Sequence, residues 1–94
     1  MLEINVGEND IIFLKGRFDA AQVETAKSHL EKVTETCTLD FSELEYISSA
    51  GLGVLIATYQ RLNKDGHKIK LRNMSKLVRD VFKFSRLDTL FEIE

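Results

Sequence analysis

Proline and tryptophan are absent from the 94 residues, cysteine occurs once, and histidine twice. Without proline there is no rigid linker, and no low-complexity stretch or internal repeat divides the chain, which reads as one domain over 1–94. A lone cysteine, Cys37, excludes an internal disulfide. It sits in the run Thr36-Cys37-Thr38-Leu39 with no cationic neighbours, so it is expected as a small buried apolar residue and not as a reactive thiol. No apolar run is long enough to span a bilayer. The opening MLEINVGEND carries acids early, unlike a signal peptide. Lys and Arg number 13 against 15 Asp and Glu, so no basic field exists to hold nucleic acid or an anionic membrane. His29 and His67 give no metal-ligand spacing. Together these lacks predict a cytoplasmic chain that makes no direct nucleic-acid contact, does not insert into a membrane and uses no metal or cofactor.

What is present is a regular alternation of two periodicities. Leu2, Ile4 and Val6 alternate with Glu3 and Asn5, a half-buried strand. Gly7 to Asp10 is a turn, and Ile11-Ile12-Phe13-Leu14 is a continuous apolar run. It is expected as a second strand, covered on both faces, paired with the first as a hairpin and ended by Gly16. Asp19 reads as a helix cap, with Gln22 completing a capping-box pair. Val23, Ala26, Leu30 and Val33 follow at helical spacing. Thr36 to Phe41 is a third strand; Ser42 to Tyr46 is a loop unless Leu44 and Tyr46 extend that strand. A second helix starts near Ser49, with Leu52, Leu55, Ile56, Tyr59 and Leu62 as its apolar stripe, closed by Asp65-Gly66. His67, Ile69 and Leu71 alternate with Lys68, Lys70 and Arg72, a strand with a solvated basic face. Ser75 caps a third helix running to about Ser85, with Leu77, Val78, Val81, Phe82 and Phe84 inward. Leu90, Phe91 and Ile93 form a last short strand. The order β-β-α-β-α-β-α-β predicts an α/β fold. Its sheet of about five strands is mixed, mostly parallel with an antiparallel N-terminal hairpin, and packed by three helices mostly on one face.

One segment stands apart, Tyr46-Ile47-Ser48-Ser49-Ala50-Gly51-Leu52-Gly53. It puts adjacent hydroxyls where a strand hands over to a helix. Gly51 and Gly53 each cost roughly 1 kcal/mol in a helix interior, and at a first turn they let another surface approach the backbone. On the residues alone, a serine here is a cap worth about 1 kcal/mol or the carrier of a phosphate, favoured by the exposed N–H groups and the positive end of the helix. A nucleophile needs a base and an oxyanion site. No G-x-S-x-G elbow, no Walker-type loop and no nearby histidine supplies them, so no catalytic residue is assigned.

LDFSELEYISSAGLGVLIATYQRL resembles the signature of the STAS domain, in its stand-alone form the anti-sigma factor antagonist. KGRFDAAQVETAKSHL and FSRLDTLFEI are similar to flanking family segments. The resemblance implies a STAS-like sheet, with the C-terminal helix of many members absent after Glu94. It implies phosphorylation at Ser49, with Ser48, where the family commonly has Asp, as the alternative acceptor. Ala50 takes the place of a second Ser or Thr. The implied docking surface comprises Arg17, Phe18 and Asp19 with Ser48, Ser49, Ala50, Gly51, Leu52 and Gly53. The implied partners are an anti-sigma factor that is also a serine kinase and a PP2C-type serine phosphatase, with ATP belonging to the kinase. Other STAS proteins sit on the ATPase of an ABC transporter without a phosphorylation cycle, or serve as scaffolds, and this remains the competing expectation.

Overall fold

The computed structural model describes all 94 residues. Strands β1 (Leu2–Val6) and β2 (Ile11–Phe18) form the antiparallel hairpin, and α1 (Val23–Leu30) leads to β3 (Cys37–Ile47). Helix α2 (Ser49–Lys64), β4 (Ile69–Arg72), α3 (Lys76–Phe84) and β5 (Glu92–Ile93) follow. The sheet order is β1-β2-β3-β4-β5, and every pair after the hairpin is parallel. Strands laid down in sequence with right-handed crossovers place every intervening helix on one side of the sheet. The burial pattern agrees: Ile12, Leu14, Leu39, Phe41, Ile69 and Leu71 are buried on the helix side, while Phe13 and Lys70 between them turn to the other face, where Asp40 is covered by its hydrogen-bond partners.

β2 is therefore covered on one face only, contrary to the reading of its apolar run. Phe13 points to the open face and is 38% exposed. β2 also runs past Gly16, whose φ of 99° is a conformation glycine adopts without strain. A Cβ there would strike the Met1 carbonyl. Arg17 and Phe18, expected to lie beyond a strand ended by Gly16, are the last two residues of β2.

Two register shifts, between Phe13 and Lys15 and between Gly16 and Arg17, mark extra residues in β3. Such bulges re-aim side chains. Here they return Leu44 and Ile47 to the interior, so β3 continues to Ile47 and the extended alternative for Ser42–Tyr46 holds. At the first bulge Asp40, 3% exposed, accepts from the Ser42 N–H at 2.8 Å, Arg72 Nε at 2.8 Å and Asn73 Nδ2 at 3.0 Å. Burial pushes its carboxyl up, but these hydrogen bonds to the charged form outweigh it and hold the pKa down at about 2. Asp40 thereby ties β3 to the end of β4 and the turn into α3.

The core is closed by aromatic contacts from the helices. Phe82 of α3 meets Phe41 at 6.0 Å and Phe91 at 5.9 Å between ring centroids, and Tyr59 of α2 meets Phe91 at 5.4 Å. Leu77 and Phe84, expected inward, are 58% and 85% exposed. The buried stripe of α3 is Val78 and Phe82 at i, i+4, and Leu77 and Phe84 lie i, i+7 on its flank. The capping box at α1 does not form. Asp19 accepts from the Ala21 N–H and caps a 3-10 turn over Ala20–Gln22, while Gln22 Oε1 accepts from the Leu2 N–H.

Candidate functional site

The mouth of α2 is built by the ends of β2 and β3. The Ser48 N–H donates to the Phe18 carbonyl at 2.9 Å, which sets Asp19 beside the first turn of α2. Ser48 is extended (φ −91°, ψ 171°), and its Oγ accepts from the Gly51 N–H at 3.2 Å. It is the N-cap, a role Asp fills by the same geometry. Ser49 is the first residue of the helix; it is exposed, and its hydroxyl takes no part in the cap. The first turn carries no acidic residue. A group of negative charge on Ser49 faces the unpaired N–H groups and the positive end of the helix.

The two glycines differ. A Cβ on Gly51 would come within 2.9 Å of Ile47 Cγ1 and 3.0 Å of the Phe18 ring, so this glycine lets α2 sit down on β2 and β3. A Cβ on Gly53 meets nothing within 4 Å. The interior gives no reason for that glycine, which lies exposed beside Ser49 and Ala50.

Of the residues expected to form one surface, Arg17, Ser49, Ala50 and Gly53 are exposed, and Asp19 and Ser48 are half-buried. Phe18, at 0% exposure, lies entirely inside, and Gly51 and Leu52 are buried as well. These three shape the surface from beneath and do not present themselves to a partner. Arg17 turns toward the open sheet face, its guanidinium 4.5 Å from the Tyr46 ring centroid.

The sequence reading missed a groove that adjoins this surface. Ala50, Gly53 and Ala57 line a groove of about 450 Å³ between α1 and α2, walled by Val23 and Lys27. Small residues at i, i+3 and i+7 outside an amphipathic stripe are the signal that marks it. Arg61 closes its far end, donating to the Val33 and Leu30 carbonyls at 2.8 Å each, and so caps α1 from α2.

Cys37 is buried as expected, and burial first, then the charge of Asp10, push its thiol up to about 11 against an opposing pull from Arg61. His29 lies with Cys37 at the opposite end of β3 from Ser49, too remote to act as its base. No helix is long and apolar enough to cross a membrane.

A family model described as "Mlab, STAS domain" matches residues 4–92. An anti-sigma-B factor antagonist of Bacillus subtilis (strain 168) is 25% identical over 96 residues, covering 98% of this chain and 88% of that protein. Among solved structures, an anti-sigma factor antagonist from Mycobacterium paratuberculosis aligns with a TM-score of 0.87 at 21% identity, over 99% of this chain and 85% of that one. The Bacillus cell fate determinant SpoIIAA in its phosphorylated form aligns with a TM-score of 0.71 at 22% identity, over 100% and 91%. The likenesses to solved structures show a common fold: a five-stranded mixed sheet with three helices.

Proposed function

Because this chain belongs to the STAS-domain family, we propose that it is an anti-sigma factor antagonist, a switch with no catalysis of its own. Unmodified, it binds an anti-sigma factor that is also a serine kinase, and so frees a sigma factor. Phosphorylation of Ser49 ends that binding, and a PP2C-type phosphatase resets the cycle. Support comes from the names of curated relatives such as the Bacillus subtilis protein and from the presence of a phosphorylated form among structures of the same fold.

The observation that carries the reading is the division of labour between the two serines. Ser48 holds the helix, and Ser49 offers a hydroxyl that the fold does not use. Ser49 is therefore the acceptor and Ser48 is not. Before modification the surface of Ser49, Ala50 and Gly53 is small and uncharged, and a partner packs close to it. A phosphate adds roughly −1.5 to −2 charge at neutral pH, next to Asp19. A partner that faces it without arginines must desolvate or repel that charge. A loss of about 3–4 kcal/mol weakens binding by roughly a few hundredfold, with no refolding. In the free protein the helix end tolerates the phosphate.

Titration of the cognate kinase by calorimetry tests the switch. Ser49→Ala is expected to bind as the wild type does and to resist modification, and Ser49→Asp to bind more weakly. Equal affinities for all three would remove the mechanism. Mass spectrometry of the kinase-treated peptide spanning both serines is expected to find phosphate on Ser49, and phosphate on Ser48 alone would refute the assignment.

A further inference from the structure

The hydrogen-bond phase of the hairpin decides which way each backbone group of β1 faces. The Arg17 N–H donates to the Met1 carbonyl at 3.0 Å, and the Gly7 N–H to the Ile11 carbonyl at 2.7 Å. Bonded and non-bonded positions alternate in an antiparallel pair. Glu3 and Asn5 therefore carry the bonds to β2, and Leu2, Ile4 and Val6 turn their N–H and C=O groups away from it. Gln22 Oε1 meets the Leu2 N–H at 3.2 Å. β1 ends the sheet, so Ile4 and Val6 present their backbone outward with no strand beside them. Sheet edges are ordinarily blunted by brevity, lysine or proline. β5, the opposite edge, is two residues long. β1 is five residues long, contains no lysine, arginine or proline, and ends on Val6, which is 75% exposed.

On the helix side of this edge lies a cleft of about 350 Å³, its apolar half formed by Ile4, Val6 and Ile12 of the hairpin and by Leu30, Val33 and Cys37, with polar residues such as Asp10, His29 and Lys32 making up the rest of its lining. It exists because α1 stops at Leu30 while the hairpin runs on. Its volume is at the low end of pockets that take small organic groups.

We infer that β1 is a strand-addition site. An extended segment of a partner protein pairs antiparallel with Ile4 and Val6, and its alternate apolar side chains enter the cleft. The pairing specifies the segment's chemistry. Residues opposite Ile4 and Val6 face the cleft and are apolar. The residue opposite Glu3 faces the open side of the sheet. Glu3 has Lys15 across from it in β2 and nothing on its other flank, so a lysine or arginine there completes a row of alternating charge. A second copy of this chain lacks that cation. Paired through Ile4 and Val6 of both copies, it sets its Gly7 opposite Glu3. Centred on Ile4, it sets its Asn5 there and breaks the bond between Gln22 and Leu2. The cleft includes Cys37, where β3 begins, and Ser49 follows the far end of that strand. The site is therefore separate from the proposed switch and compatible with its operation.

The probe is a capped five-residue peptide, Thr-Leu-Thr-Leu-Lys, which ends opposite Glu3 and leaves the Leu2 N–H to Gln22, titrated into the full chain and followed by amide NMR and hydrogen exchange. Saturable shifts are expected at Ile4, Val6, Leu30 and Val33, with exchange of the Ile4 and Val6 amides slowed at least about tenfold. Val6→Lys, at a position already exposed, is expected to weaken binding at least about tenfold with the spectrum otherwise intact. Glu3→Lys is expected to prefer the peptide carrying Glu in place of Lys, and Ser49→Asp to leave peptide binding unchanged. The inference is overturned by absence of shifts up to roughly 1 mM peptide, a concentration that still detects a weak complex of about −4 kcal/mol. It is also overturned by equal binding of the peptide N-methylated at both leucines, or by protection of Ile4 and Val6 that grows with protein concentration alone, the mark of self-pairing.

Discussion

Two glycines two positions apart answer to different masters. Gly51 is held by the interior: Gly51→Ala forces a Cβ against Ile47 and Phe18. Overpacking of this kind costs about 1–3 kcal/mol, to be seen as a lower urea midpoint. Gly53→Ala enters open space and gains up to about 1 kcal/mol of helix propensity. It is expected to raise the melting temperature while weakening kinase binding, and a variant that binds unchanged would detach Gly53 from the docking surface. Ser48→Ala removes a cap worth about 1 kcal/mol, a fall of roughly 4–8 °C for a domain of this size. Ser48→Asp is expected to restore the loss, because either side chain accepts from the Gly51 N–H. Asp40 makes a prediction about pH. Its folded pKa of about 2 lies below the ordinary 3.8, so the unfolded chain binds its proton first. The stabilisation is present above about pH 4 and is lost as pH falls towards 2. On the order of 2 kcal/mol rides on this group. Asp40→Asn is therefore expected to be less stable than the wild type at pH 7, with the gap narrowing by pH 2.5 in urea titrations. The serine cap and the glycines of the first turn were legible in the sequence; which serine caps, which glycine the interior holds and what Asp40 meets were not. LDFS announces an aspartate, but its partners Arg72 and Asn73 are 32 and 33 positions away.

At the scale of elements the sequence was most legible where one periodicity ran unbroken. The stripe of α2 at Leu52, Leu55, Tyr59 and Leu62, its closure at Asp65-Gly66, the start of α3 at Ser75 and the alternation of β4 are as expected, although Val54 and Thr58 are buried on α2 as well and Val6 ends β1 exposed. Legibility failed where the period slips. Two bulges in β3 break the alternation after Phe41, so the strand's second half resembles a loop. In α3 every apolar residue was read inward, but a helix nine residues long aims only one flank at the sheet. Phe84→Ser is accordingly expected to change stability by no more than about 0.5 kcal/mol. Phe82→Ala, which removes a ring touching both Phe41 and Phe91, is expected to cost about 3–5 kcal/mol. Thermal melts of the two variants side by side check the assignment of faces. The α1–α2 groove was hidden for another reason: the sequence shows the small residues of α2 but not which helix lies beside them.

At the scale of the molecule, the sequential strand order makes a two-sided object. One side is a layer of three helices over a core, and the other is a bare sheet face of Phe13, Lys15, Thr38, Lys70 and Arg72. The fold class and the hairpin were legible because alternating strands and helices leave few topologies. The bareness of one face was legible too, since three helices are too few to cover both; the strand order was not, since it depends on where the crossovers land. The contrast between the sides is measurable: Phe13→Ala is expected to cost about 1 kcal/mol or less in chemical denaturation, a fraction of the loss at Phe82. Selection also acts on the molecule as a whole, and under the proposed switch the glycine pair would answer to two separate pressures. A descendant that abandoned its docking partner would be free to acquire a methyl at position 53 and would even melt later for it. Position 51 would still be held by the interior, where a methyl costs about 1–3 kcal/mol whether or not the partner remains. The two sites would thus drift at different speeds, and the difference would date the loss of the partnership.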